Sequence, residues 1–489
     1  MPSSLLRRKR ADDLMAEAEE PGRQLKRTLT AFDLTMLGVG AIIGAGIFSS
    51  LGDVIGGGAS HVGAGPGAII SFLLTAIVCG FAAMCYAEIA AMVPIAGSAY
   101  TYSYVAFGEV VAWIIGWDLI IEYAIGNIYV AQSWADNFGA FLRDAFGMQF
   151  PGWLSTNIQT VNNTPELAAG APHIGGVAIA FNLPATLIVA ALTVLLVRGI
   201  RESARFNAVM VVVKVLILLA FIGVGCFFIE PANWTPFAPH GFQGIWTGAS
   251  IAFFSYIGFD AVSTAAEETA DPQRNLPRGM IASLIICTVL YIAVAAVITG
   301  LVPWQSLTGV SDPLPHTLEV AGVKWFAVVI SIGAVIATTA VLLVFQMGQP
   351  RIFMAMSRDG LLPPAFGRVH PKYRTPHVGT ILTGVIVAVS ATILTPSQAI
   401  ELTNIGTLFA FFLVSGGVIA LRTIEPDRHR PFKVPGYPVT PIVSMAACGW
   451  LMFGLPLITW PRFGIWLAIG LVIYFLYGKK HSKLAARAG

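Results

Sequence analysis

Gly38-Val39-Gly40-Ala41-Ile42-Ile43-Gly44-Ala45-Gly46-Ile47-Phe48 places four glycines in the middle of the first long apolar stretch of the chain. A stretch of about 20 such residues is otherwise a membrane-spanning helix. Glycine costs a helix interior about 1 kcal/mol against alanine, so four together mark a place where the helix can open. Opened backbone survives at membrane depth only where protein buries it or where it lines a polar cavity. Broken helices of this kind offer free N–H and C=O groups to a substrate near the bilayer midplane. Close helix packing through small residues is the competing reading of the same spacing.

The rest of the composition agrees with a membrane setting. Of 489 residues 56% are hydrophobic and 11% charged, where a soluble chain carries roughly 25% charged. Apolar runs predict about twelve spans, near 31–52, 66–92, 107–134, 181–199, 206–229, 243–266, 280–302, 325–349, 377–395, 398–421, 438–458 and 463–478. These leave no room for a sizeable soluble domain, so 31–478 reads as one membrane domain between a charged tail, 1–30, and a short tail, 479–489. The first tail reads as mobile to about Gln24. With twelve spans, all but four of the 29 basic residues fall on one side. Arg143, Lys324 and Arg462 fall on the other and Lys214 lies inside a span. Basic loops stay inside, which predicts a cell (plasma or inner) membrane protein with both termini cytoplasmic. The net charge of +3 therefore reports topology and not nucleic-acid binding. No signal peptide pattern is present. The five cysteines lie in apolar spans with no metal or disulfide spacing, so no cofactor or metal is expected.

Span six repeats the theme of span one. Ser255, Gly258 and Asp260 interrupt Ala249–Asp260 near its centre. Interrupted helices five spans apart, entering from opposite sides, are the mark of an inverted repeat. The expected fold is all-α, with about 12 transmembrane helices: a 5+5 inverted repeat (31–229 and 243–421) with broken helices 1 and 6, plus two extra helices at 438–478.

Several stretches then resemble one family: Gly40–Phe48, Gly116–Gly126, Phe253–Glu268, Asp271–Pro277, Gly348–Pro363 and Arg430–Pro438. In that order they resemble the amino acid–polyamine–organocation superfamily, and within it the bacterial branch of the cationic amino acid transporters. The resemblance implies the five-plus-five fold and amino acid transport. Some members carry a Ser or Thr where this chain has Ala45, so a hydroxyl contact is absent here.

An amino acid carries one carboxylate and one ammonium group. A helix N-terminus, with unpaired N–H groups and about half a positive charge, suits the first. Carbonyls at the end of a half-helix suit the second. The backbone of Ile42, Ile43, Gly44, Ala45 and Gly46 is expected to hold the carboxylate, and Phe254, Ser255 and Ile257 to accept from the ammonium; the resemblance places substrate contacts at the same positions.

Lys214 sits in an all-apolar run about nine residues, or ~13 Å, from the end of span five. A charge at such depth costs about 2.5–3.5 kcal/mol even on the lenient scale. It reads either as a side chain reaching for the interface or as a proton-coupling group. In sodium-coupled relatives a cation bridges spans one and eight; the resemblance implies that Lys214 replaces it. Thr338 and Thr339 in span eight keep sodium open as the alternative. Glu122 and Asp118, four apart, share a face of span three. Glu122 is a candidate substrate or coupling residue and Asp118 a structural one, while Glu88 reads as a gate or packing partner. Glu267 and Glu268 read as salt-bridge partners of Arg274 and Arg278. One proton falling through ~100 mV gives about 2.3 kcal/mol, enough to drive accumulation.

No His-Glu-x-x-His, Gly-x-Ser-x-Gly or P-loop spacing argues for an enzyme. No continuous polar face argues for a channel. The sequence reads as a secondary active transporter of L-amino acids, neutral or cationic, working as a proton symporter by alternating access. Its partners are the amino acid, the proton and membrane lipids, with a small membrane-protein partner left open. A sodium symporter, an exchanger or a non-transporting sensor are the alternatives.

Overall fold

The computed structural model describes residues 7–12, 15, 27–58, 60–95, 97–199 and 204–488; most of the 1–30 tail, and Arg201 among the basic residues that set the topology, lie outside them. Among the described residues nine helices are long and apolar enough to cross a membrane: Ala31–Gly56, Gly65–Met92, Glu109–Phe146, Ala208–Phe228, Gly241–Glu268, Pro272–Leu301, Lys324–Arg358, Pro396–Ile424 and Thr459–His481. Three shorter apolar helices, Leu183–Arg198, His377–Ile393 and Val439–Phe453, fill places four, nine and eleven of the expected twelve. The molecule is a nearly all-helical, multi-span integral membrane protein with two short β-hairpins among the described residues. The spans are numbered one to twelve in chain order.

Span one starts at a capping box, where Thr30 Oγ1 accepts from the Asp33 N–H and the Asp33 carboxylate accepts from Thr30. Span three overruns its expected end by twelve residues: Asn137 is buried and bonded to Ser133 and Ser49, so polar positions past 134 face protein and the helix continues to Phe146. Span seven packs along spans one and two. A Cβ at Gly38 would lie 2.5 Å from Ser283 Oγ, and one at Gly279 2.6 Å from Leu34 Cβ. The packing reading of the first glycine is therefore correct for Gly38.

The two chain ends lie on one face. Lys9 pairs with Asp359 at 2.5 Å, the Glu109 N–H donates to the Arg7 carbonyl at 2.9 Å, and Ser482 donates to Glu109. Residues 7–12 are thus docked, contrary to the expected mobility, because buried Ala11 and these polar contacts hold them. Glu88, at the same face, takes a fork from Arg422 (2.8 and 2.5 Å) and the Val434 N–H at 2.6 Å. Of its two sequence readings, packing partner fits: it clamps the loop between spans ten and eleven to span two.

Candidate substrate site

Span one comes apart where its glycines allow. The N-terminal half, Ala31–Ile42, ends at Ile43, whose ψ of 103° leaves the helix, and the chain resumes as a π-turn, Gly46–Ser50, followed by Leu51–Gly56. Gly44, Ala45 and Gly46 therefore form the first turn of the C-terminal half, where N–H groups lack intrahelical acceptors. Span six breaks in a matching way. Gly241–Ala252 tightens into a 3₁₀ turn, Phe253–Tyr256; Ile257 is extended and Gly258 has φ +118°. The chain then runs on as a 3₁₀ helix, Asp260–Glu268.

The two breaks touch. A Cβ on Gly46 would overlap the Ser255 backbone, and one on Gly258 would lie 3.0 Å from the Ala41 carbonyl carbon. Gly44 meets Val341 of span eight equally closely. The glycines that open the helix are thus also the ones that let backbones approach, so the two readings of the motif describe one object. Ile42, Ile43, Ala45, Phe254, Ser255 and Ile257 are all buried, as are Gly44 and Gly46. Ser50 Oγ lies 3.3 Å from Ser255 Oγ, and Tyr129 of span three sets its ring edge-to-face against Phe254 at 5.0 Å.

The freed carbonyls of span one have found donors. Lys214 Nζ donates to the Gly40 carbonyl at 2.9 Å and to the Ile43 carbonyl at 3.1 Å; its side chain is fully buried. Tyr291 of span seven donates to the Ile42 carbonyl at 2.9 Å. Lys214 does not reach for the interface. On span six, Asn404 of span ten donates to the Ser250 and Ile251 carbonyls at 2.8 and 3.2 Å. Thr338 and Thr339 donate to their own helix, at Ala334 and Val335.

Glu122 occupies a π-turn of span three, Ile121–Ile125, and its buried carboxyl faces Asp260 and Thr407. It therefore sits with the continuation of span six, two residues beyond Gly258. Asp118 is buried one turn earlier with neither carboxylate oxygen hydrogen-bonded among the described residues; the structural bond expected of it is not made. Sequence reasoning missed Asp260, Tyr291 and Asn404 as site residues. Asp260 and Asn404 carried a signal, being polar groups in apolar spans. Tyr291 carried none.

Contacts flank the breaks on both faces. On the face with the chain ends, Leu29 bridges Thr269 in parallel, and the N–H groups of Thr28 and Leu29 donate to the Glu268 carbonyl. This backbone pairing stands where salt bridges from Arg274 and Arg278 were expected; neither arginine forms an ion pair among the described residues. On the opposite face a hairpin, Gly57–Gly58 with His61–Val62, follows span one, and Ser60 Oγ donates to Glu401 of span ten at 2.8 Å. Nearby, Arg143 reaches Asp312 at 3.3 Å; burial pushes the Asp312 carboxyl above its ordinary value against the pull of that guanidinium.

A model of the amino acid permease family matches residues 29–476. The chain belongs to the amino acid permease family. It is 47% identical over 484 residues to the branched-chain amino acid permease BcaP of Bacillus subtilis, covering 99% of this chain and all of that one. It is 45% identical over 482 residues to the methylthioribose transporter of the same organism, covering 99% of each. A vacuolar cationic amino acid transporter 4 of Arabidopsis thaliana is 37% identical over 431 residues, 87% of this chain and 68% of its own length. The family and these relatives support amino acid transport across a membrane as the activity of the chain, and the relatives named are permeases and transporters.

Proposed function

We propose that this protein is a proton-coupled symporter of L-amino acids that works by alternating access, with neutral apolar side chains, including branched ones, preferred. The observation that carries the coupling is the Lys214 ammonium held on the Gly40 and Ile43 carbonyls at the break in span one. Hydrogen bonds from a charged donor are about twice as strong as neutral ones. A protonated Lys214 therefore grips the inner half of span one, and loss of the proton loosens it. Release of that half-helix, together with the Leu29–Thr269 bridge, opens a path from the site to the face with the chain ends. The basic-residue bias supports assigning that face to the cytoplasm. A sodium ion at the same place would meet the ammonium charge, which argues against the sodium alternative. The Glu122–Asp260 pair is a second place where a proton can be held within the membrane.

The substrate would lie between the breaks, its carboxylate on the Gly44–Gly46 turn and its ammonium on the Phe254, Ser255 and Ile257 carbonyls. The neighbouring side chains Ile43, Val341, Phe254 and Ile257 are apolar, and the branched-chain name of a 47% identical relative points the same way. The reading of 31–478 as one transporter domain with repeats at 31–229 and 243–421 belongs to the same proposal. Uptake of a thio-sugar is the second reading, favoured by the 45% identical relative.

Proteoliposomes loaded with one labelled amino acid, challenged with all common amino acids and methylthioribose at varied pH and Na⁺, test both. Acid-stimulated, sodium-indifferent uptake inhibited by valine-like competitors is expected. Competition by methylthioribose alone, or a strict Na⁺ requirement, overturns the proposal.

A further inference from the structure

A cavity of about 720 Å³ opens at the start of span seven, against the loop that precedes span eleven. Its lining includes Arg274, Arg278, Ile281, Ile285, Pro431 and Phe432. Arg274 and Arg278 are exposed, one helical turn apart, and make no ion pair among the described residues. Asp271 is the only acid on the lining, so the two guanidinium groups leave it net positive. Ile281 and Ile285 continue the same helix face, and Ile285 is 57% exposed on a helix, Pro272–Leu301, long and apolar enough to cross a membrane. Arg278 to Ile285 is seven residues, a rise of about 10 Å.

A phospholipid has this shape: an anion at the surface and an acyl chain running inward along an apolar wall. We propose that this cavity binds an anionic phospholipid of the leaflet facing the chain ends. Its phosphate lies between Arg274 and Arg278, and an acyl chain runs along Ile281 and Ile285 beside Phe432. Basic pockets between helices at a membrane surface recognise headgroups of this kind, and paired guanidinium groups suit phosphate oxygens. The site is placed to matter. The other face of the same stretch, at Gly279, packs on Leu34 of span one. Phe432 belongs to the loop whose Arg430 and Val434 are gathered by Glu88. A bound lipid thus joins the support of span one to that clamp.

The test stands apart from the transport reading, since its readouts are lipid binding and thermal stability. Purified full-length protein in neutral detergent is titrated with phosphatidylglycerol and with phosphatidylcholine, and bound lipid is counted by native mass spectrometry. Preferential retention of phosphatidylglycerol, with a rise in melting temperature, is expected. Arg274→Gln combined with Arg278→Gln weakens phosphatidylglycerol binding about tenfold or more, as loss of two basic groups at an anionic surface implies, and the Lys double variant retains most of it. A photoactivatable phosphatidylglycerol on the unaltered protein labels 271–285 or 431–434, which covers the case of a variant that does not fold. Equal binding of both lipids, undiminished binding by a folded Gln double variant, labelling only elsewhere, or equal stabilisation by inorganic phosphate overturns the proposal.

Discussion

Replacing Lys214 with methionine keeps the length of the apolar stem and deletes the ammonium. The structure assigns that group two bonds, at 2.9 Å to Gly40 and 3.1 Å to Ile43. A hydrogen bond to a charged group contributes about 1.5–3 kcal/mol, so the variant loses about 3–6 kcal/mol of hold on the inner half of span one. It also loses the proton that proposed coupling requires. One pH unit across the membrane is worth about 1.4 kcal/mol, a tenfold gradient for one proton per substrate. Proteoliposomes with an acidic exterior and neutral interior should therefore accumulate substrate about tenfold per pH unit with the unaltered protein. Lys214→Met should equilibrate to a ratio near one at every imposed gradient, while exchange of labelled for unlabelled substrate at equal pH persists. Accumulation by Lys214→Met that still climbs tenfold per pH unit would refute the coupling argument outright.

Gly46→Ala places a methyl group in the Ser255 backbone; overpacking of about 1–3 kcal/mol should cut initial uptake at least fivefold. Gly80→Ala, with no atom within 4 Å, should leave uptake unchanged. Glu122→Gln removes the titrating partner of Asp260 and should flatten the dependence of uptake on external pH; an unaltered profile rejects the acid pair as a proton carrier. Glu88→Ala strands the Arg422 fork and the Val434 N–H. Breaking a buried pair costs about 3–5 kcal/mol, so its melting temperature in detergent should fall, and that of Glu88→Gln should fall less.

The spans were legible because a membrane demands about 20 apolar residues per crossing, and that demand is written locally. The breaks were legible for a related reason: glycine lowers helix stability wherever it occurs, so Gly44, Gly46 and Gly258 announce themselves without a neighbour. Lys214 stood out because charge at that depth is costly. Its partners did not. The carbonyls it meets belong to every residue alike, and only the approach of span five to span one selects Gly40 and Ile43. The closure at the face with the chain ends was misread for the same reason. Glu268 and the arginines of span seven look complementary in sequence, yet the contact is made by backbone groups of Thr28, Leu29, Glu268 and Ala270, which no side-chain pattern reveals.

Sequence alone determined a helical membrane protein with two glycine-rich spans and one cation inside a span, because hydrophobicity, glycine content and charge act residue by residue. Tertiary structure decided that the interruptions touch, that Lys214 and Tyr291 take up the freed carbonyls, and that Glu122 faces Asp260. Each of these depends on how helices far apart in the chain approach one another. Backbone polar groups, identical at every position, become distinct only when packing gives them different partners.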